Sequence, residues 1–290
     1  MEYEKLVRKN RERYLDKVIL EKRGYLRRGL LGRGSFSDVY CVEDMAEGGL
    51  YVCKVSWKAG MLGKEAQAMA ELSHPLFPQY AAFWEEDGLG ILLREFVPGQ
   101  SLAEMLERRR FSARQTICVG RMLAEGLRYL HGLPEPLLFR DIKPANIIIR
   151  QDGRAELIDL GCVCGLGGKA GSRAGSPGFA APEQLEGDGR LTAACDVYGL
   201  GQTLKAMLGA GPHDSGRIQG LWRGGAGSAG GLWARSGKGK KRSEKRLAGR
   251  LWRVLEACTK EDAGGRMPDM ESVLEALAAL EAPSGRQGGS

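Results

Sequence analysis

The chain has 290 residues, 43% of them apolar and 27% charged, with a formal net charge of +7. That is enough for one large domain or two lobes built around an ordinary hydrophobic core. No stretch approaches the roughly 18 uninterrupted apolar residues of a membrane span, and the start, MEYEKLVRKNRERYLDK, carries acids and lacks an apolar leader core, so a cytoplasmic protein without a membrane span is expected.

The excess charge is local. Residues 209–250 hold ten Lys or Arg against Asp214 and Glu244, together with 12 of the 43 glycines. This composition reads as a flexible basic insert and argues against a nucleic-acid groove. An acidic partner for the insert stays open, as does stacking on Trp222 and Trp233. The seven cysteines are scattered, and only Cys162 and Cys164 lie close together, a spacing that makes a poor zinc site without a second pair. Reduced, mostly buried thiols are expected. Composition leaves the oligomeric state unspecified.

Taken in chain order, residues 1–24 read as a charged helical extension. Residues 25–55 alternate β-like runs with glycines, a helix is expected over 62–72, and strands near 80–84 and 89–96 complete a small sheet. The character changes at VPGQ, 97–100, after which 101–131 shows apolar residues at helical intervals. NIIIR and AELIDL, joined by QDG, read as a hairpin at the head of a mainly helical second half. The expected class is α+β: an antiparallel sheet lobe with one main helix over 25–97, a larger helical lobe over 98–282, and a disordered tail over 283–290.

Three stretches carry candidate chemistry. In GRGSFSDV, 32–39, glycines let backbone amides approach a phosphate, a weak signal alone, since a plain Gly-rich hairpin turn reads the same way. Lys54 sits mid-strand in YVCKVSW and needs an anion, either Glu65 on the next helix or a nucleotide phosphate. LLFRDIKPANIII, 137–149, sets Asp141, Lys143 and Asn146 between apolar flanks, and Asp159 ends the following hairpin. Two carboxylates, an amide and an ammonium suit Mg²⁺ and phosphate, because hard cations take oxygen ligands while Lys neutralises transferring charge.

These residues and their order resemble a eukaryotic-like serine/threonine protein kinase over roughly 25–280. Gly32-x-Gly34-x-x-Ser37-x-Val39 resembles the glycine-rich loop, Val52-Cys53-Lys54 the strand lysine, and Glu65 its helix partner ahead of His74-Pro75. Phe139-Arg140-Asp141 with Lys143 and Asn146 resembles the catalytic loop, and Asp159-Leu160-Gly161 the metal-binding triplet. Ala181-Pro182-Glu183, Asp196 and Arg266 resemble the helical-lobe signature.

The resemblance implies a bilobal kinase fold and transfer of the γ-phosphoryl group of ATP, with Mg²⁺ or Mn²⁺, to Ser/Thr hydroxyls of protein substrates. It implies that Asp141 orients the acceptor hydroxyl and Lys143 stabilises the transferred group. Asn146 and Asp159 would hold the metal, and Lys54 with Glu65 the α- and β-phosphates. Leu31, Val39 and Leu160 would cover adenine, and Glu95 and Val97 would present the hinge backbone. Ser176 stands where the family has a Thr beside the catalytic Asp and Lys, and Arg140 where a phosphorylated activation loop docks, with Ser172 the candidate phosphosite.

The chain departs from the pattern at Ser37 for a glycine, at Phe139 for a His whose hydrogen bonds would be lost, and at Arg94, which either points outward or pairs with Glu65. A nucleotide-binding pseudokinase scaffold and a small-molecule kinase are the alternatives. The compact chain and the Phe-Arg-Asp variant look more bacterial than animal.

Overall fold

A computed structural model of the chain describes residues 10–34, 37–58, 60–167, 174–186, 190–209 and 238–282. Ser172 and most of the basic insert lie outside the described residues. The chain divides into two compact units between Val97 and Pro98, with His74–Phe77 belonging to the second.

The first unit is a five-stranded antiparallel sheet of β1 (Tyr25–Arg33), β2 (Ser37–Asp44), β3 (Leu50–Ser56), β4 (Tyr80–Glu86) and β5 (Leu89–Glu95), ordered β1-β2-β3-β5-β4. Strand β5 lies inside the sheet between β3 and β4, and its LGILLR run is buried throughout. Strand alternation sends Tyr40, Val42, Cys53, Val55, Ile91 and Leu93 to one face. The residues between them, Lys54 included, point to the other. The first face is covered by a helical segment before β1, whose Leu15 and Leu20 are fully buried in the same cluster. Helix α1 (Gly63–Glu71) packs against β4.

The second unit is built on α3 (Ala113–His131), opened by a capping box in which Ser112 and Gln115 satisfy each other's backbone amides. Its buried stripe includes Ile117, Leu123, Leu127 and Leu130. It packs against α5 (Ala194–Leu208) and α7 (Met270–Glu281). Gly120 permits the close approach, since a Cβ there would lie 2.8 Å from Leu204. Gly126 does the same for Leu76, whose side chain would meet a Cβ at 2.0 Å, and Leu157 donates its N–H to the Leu76 carbonyl at 2.7 Å. These contacts are why His74–Phe77, sequentially inside the sheet unit, belongs to the helical one.

Helix α2 (Leu102–Arg108) and a three-stranded sheet of β6 (Gln100–Ser101), β8 (Ile147–Ile149) and β9 (Ala155–Leu157) complete this end of the unit. The β8–β9 hairpin turns through Gly153 at φ +87°, as the QDG signal anticipates. Strands β7 (Leu137–Leu138) and β10 (Cys164–Gly165) pair alongside, and α4 (Pro182–Glu186) follows. Helix α6 (Lys238–Cys258) corrects one expectation: the last part of the 209–250 insert is helical, with Glu244 accepting the Ala113 N–H at 2.5 Å. Among the described residues no helix is long and apolar enough to cross a membrane.

Candidate active site

The first unit contributes an ion pair. Lys54 lies between Val39 on β2 and Leu92 on β5. Its Nζ meets both Glu65 carboxylate oxygens, at 3.0 and 2.7 Å. The side chains are 15% and 5% exposed, so the pair is largely desolvated and each charge depends on the other. The eleven-residue separation is bridged by the turn from β3 into α1. Gly32 pairs with Val39, and the Gly34 N–H closes the hairpin on the Ser37 carbonyl at 2.8 Å. Leu31 is exposed and Val97 buried. Glu95 ends β5 and is tied to Gln79 through both its backbone N–H and its carboxylate. Arg94 is 9% exposed and donates to the Glu95 carbonyl at 3.1 Å, which disposes of the outward orientation.

The second unit contributes a closed polar ring. Lys143 Nζ donates to Asp141 Oδ2 at 2.7 Å and to Ser176 Oγ at 2.6 Å, and the Ser176 hydroxyl donates to Asp141 Oδ1 at 2.9 Å. Asn146 Nδ2 donates to the Asp141 carbonyl at 2.9 Å and to its carboxylate at 3.0 Å. Asp141 and Asn146 are buried. Ile158, the residue after β9, donates its N–H to the Asn146 carbonyl at 3.0 Å, which sets Asp159 one residue beyond that bond. Asp159 Oδ1 accepts the Gly161 N–H at 3.0 Å. Asn146 and Asp159 thus offer only oxygen ligands, the donor type Mg²⁺ takes, with the Asn146 amide nitrogen already turned to Asp141.

A tight backbone clamp holds the ring in place. Asp196, 1% exposed, accepts the N–H groups of Phe139 and Arg140 at 2.8 and 2.7 Å and lies 2.8 Å from His131 Nε2. Arg140 sits at φ +70°, a strained conformation for a residue with a Cβ. Asp196 fixes its N–H, and Gln184 Nε2 holds its carbonyl at 2.9 Å. Thr203 Oγ1 donates to the Ile142 carbonyl at 3.2 Å. Phe139 fills its site by packing, stacked on Phe77 with ring centroids 6.5 Å apart. Gln184 and Thr203 escape sequence reading because each acts on a distant backbone carbonyl, and His131 because it meets the side chain of a residue 65 positions away; no local spacing marks such partners.

Two thiols border the ring. Burial pushes the Cys162 thiol up, and the carboxylates of Asp141 and Asp159 push it further. Burial likewise raises Cys164, partly offset by the Arg140 guanidinium. All seven cysteines are free thiols. In the same unit Arg266 clasps Glu183 with two bonds, 2.5 and 2.8 Å. Burial alone would raise the Glu183 carboxyl, but the Arg266 guanidinium, its own backbone amide and Cys195 hold it below the usual value.

A family model described as the protein kinase domain matches residues 25–220. PBL8, a probable serine/threonine-protein kinase of Arabidopsis thaliana, is 33% identical over 205 residues, covering 62% of this chain and 48% of that protein. The human putative serine/threonine-protein kinase PRKY is 28% identical over 193 residues, 63% of this chain and 68% of its own. A putative serine/threonine-protein kinase A of Trypanosoma brucei brucei is 28% identical over 218 residues, 68% of this chain and 49% of its own. The chain spans about half the length of most of the curated relatives it matches. Plant, human and trypanosome relatives give the expectation of a bacterial source no support. The kinase model covers more than half of the chain, and the chain therefore belongs to the protein kinase domain family.

Proposed function

We propose that this chain is an ATP-dependent serine/threonine protein kinase. The observation that carries the reading is the ring of Asp141, Lys143, Ser176 and Asn146. A seryl hydroxyl is already hydrogen-bonded to the Asp141 carboxylate at 2.9 Å and to the Lys143 ammonium at 2.6 Å, the two contacts an acceptor alcohol needs.

In the reaction the acceptor oxygen forms a bond to the γ-phosphorus, and the bond from that phosphorus to the β–γ bridging oxygen breaks. ADP leaves with the electron pair. The hydroxyl proton passes to Asp141, while Lys143 offsets charge on the transferred group. Asn146, oriented by its bonds to Asp141, and Asp159 are the residues that would hold Mg²⁺, with Mn²⁺ as a substitute. When bound, the ion supplies charge neutralisation on the β- and γ-phosphates. Lys54, held by Glu65, binds the α- and β-phosphates, and Leu31, Gly32, Gly34 and Val39 with Glu95 and Val97 make up the nucleotide-binding set. The acceptors are Ser/Thr residues of protein substrates in the cytoplasm.

Neither the pseudokinase nor the small-molecule alternative gains a specific observation. The Phe139 substitution leaves the loop fixed through backbone N–H groups on Asp196, so the missing imidazole removes no reacting group. Labelled ATP offered with a basic protein, and separately with a panel of sugars and amines, tests the reading. Incorporation into protein Ser/Thr is expected, while nucleotide binding without transfer, or transfer to the small molecules alone, would refute it.

A further inference from the structure

At a single rung the hairpin of the glycine-rich loop is met by two adjacent residues of the N-terminal helical segment, on one strand directly by Glu12 and on the other by Arg11 through Trp57. Arg33 on β1 pairs in register with Asp38 on β2, the last rung before the turn. Glu12 Oε1 accepts from Arg33 Nη2 at 3.0 Å, and its other oxygen lies 4.0 Å from Arg27. On the opposite strand Asp38 Oδ2 accepts from Trp57 Nε1 at 3.4 Å, and the guanidinium of Arg11 sits 5.1 Å from the Trp57 ring centroid.

The segment that carries Arg11 and Glu12 is firmly seated. Leu15 and Leu20 are fully buried on the sheet, Asp16 takes two bonds from Arg27 at 2.6 and 2.8 Å, and Tyr14 donates its hydroxyl to Asp87. Glu12 and Arg33 are 24% and 31% exposed, so their attraction is only partly screened.

Hairpins with glycines near the turn fray easily, and a ligand that orders such a loop must offset the lost conformational freedom. Holding both strands beforehand reduces that cost. We propose that Arg11 and Glu12 are positioning residues that pre-order the glycine-rich hairpin for nucleotide phosphates. Glu12 acts through Arg33, and Arg11 through Trp57 and Asp38. The proposal rests on the reading of the chain as an ATP-dependent kinase.

The test uses the full chain and the variants E12Q, R33Q and the double variant E12Q/R33Q. Nucleotide dissociation constants, KM for ATP and kcat are measured, with amide hydrogen exchange over 30–40 in the nucleotide-free protein. E12Q and R33Q should each weaken nucleotide binding and raise KM about two- to fivefold. Each should leave kcat and melting temperature unchanged, and speed exchange in the hairpin alone. The double variant should be no worse than either single one. If the wild type binds nucleotide and E12Q matches it in affinity and exchange, the proposal is wrong. Additive effects of E12Q and R33Q would also overturn it. A wild type that binds no nucleotide would instead overturn the kinase reading, and hairpin exchange unaltered by E12Q would still decide against the positioning role.

Discussion

The catalytic-loop region and the glycine-rich hairpin are stabilised in opposite ways. Around Asp141 the stabilising groups are buried and act on the backbone: Asp196 fixes two N–H groups, and Gln184 and Thr203 fix two carbonyls. The hairpin is held at its margin by side chains that remain partly exposed, Glu12 on Arg33 and Trp57 on Asp38. Buried polar bonds are costly to break, because each orphaned group stays desolvated, whereas exposed ion pairs cost little. The difference matches the tasks proposed for the two regions. A group that takes up a proton needs one geometry, and a loop that admits and releases a nucleotide needs adjustable order.

Loss of a buried clamp around Asp141 should destabilise the protein most. Asp196→Ala removes a carboxylate serving two backbone amides and His131, leaving them without that acceptor. A loss of about 3 kcal/mol or more follows, seen as a fall of roughly 10 °C in melting temperature. A change under a few degrees would mean that the clamp is not what holds Arg140 in its strained conformation.

Gly126→Ala comes next, since its Cβ would fall 2.0 Å from the Leu76 side chain. Overpacking of about 1–3 kcal/mol is expected by denaturant unfolding. An unchanged midpoint would show that His74–Phe77 seats on α3 less tightly than described.

An intermediate effect concerns pH. The folded carboxyl of Glu183 lies below its ordinary value of 4.5, so the Arg266 pair contributes stability above that pH and loses it as pH falls through the depressed value. Urea midpoints should therefore fall more steeply on acidification below about pH 4.5 in the wild type than in Glu183→Gln. Parallel curves would contradict the assignment. The smallest effect is chemical: the raised Cys162 thiol should alkylate at pH 7 more slowly than a free cysteine, by quantified peptide mass. Rapid labelling would place that thiol in a different environment.

Much of the buried region is legible in the sequence. Asp141, Lys143, Asn146 and Asp159 stand at fixed spacings because one tight loop and one hairpin position them, and short-range geometry leaves a local signature. The strand alternation that sets Lys54 opposite the Cys53 face is legible for the same reason. Other features depend on register and long-range packing. Nothing near Glu12 announces Arg33, and nothing near Asp196 announces His131, because each pair joins elements whose relative placement emerges only on folding. The helical start of α6 at Lys238 was hidden by glycine-rich composition, which masks the amphipathic period beginning around Leu247 and Leu251.

Whether the Asp141 ring is a phosphoryl-transfer centre is decided by single-turnover transfer from labelled ATP in the wild type and in Asp141→Asn. The rate in the variant should be lower by about 10²–10⁴-fold, with nucleotide affinity and melting temperature preserved. Equal rates in the two proteins would contradict it.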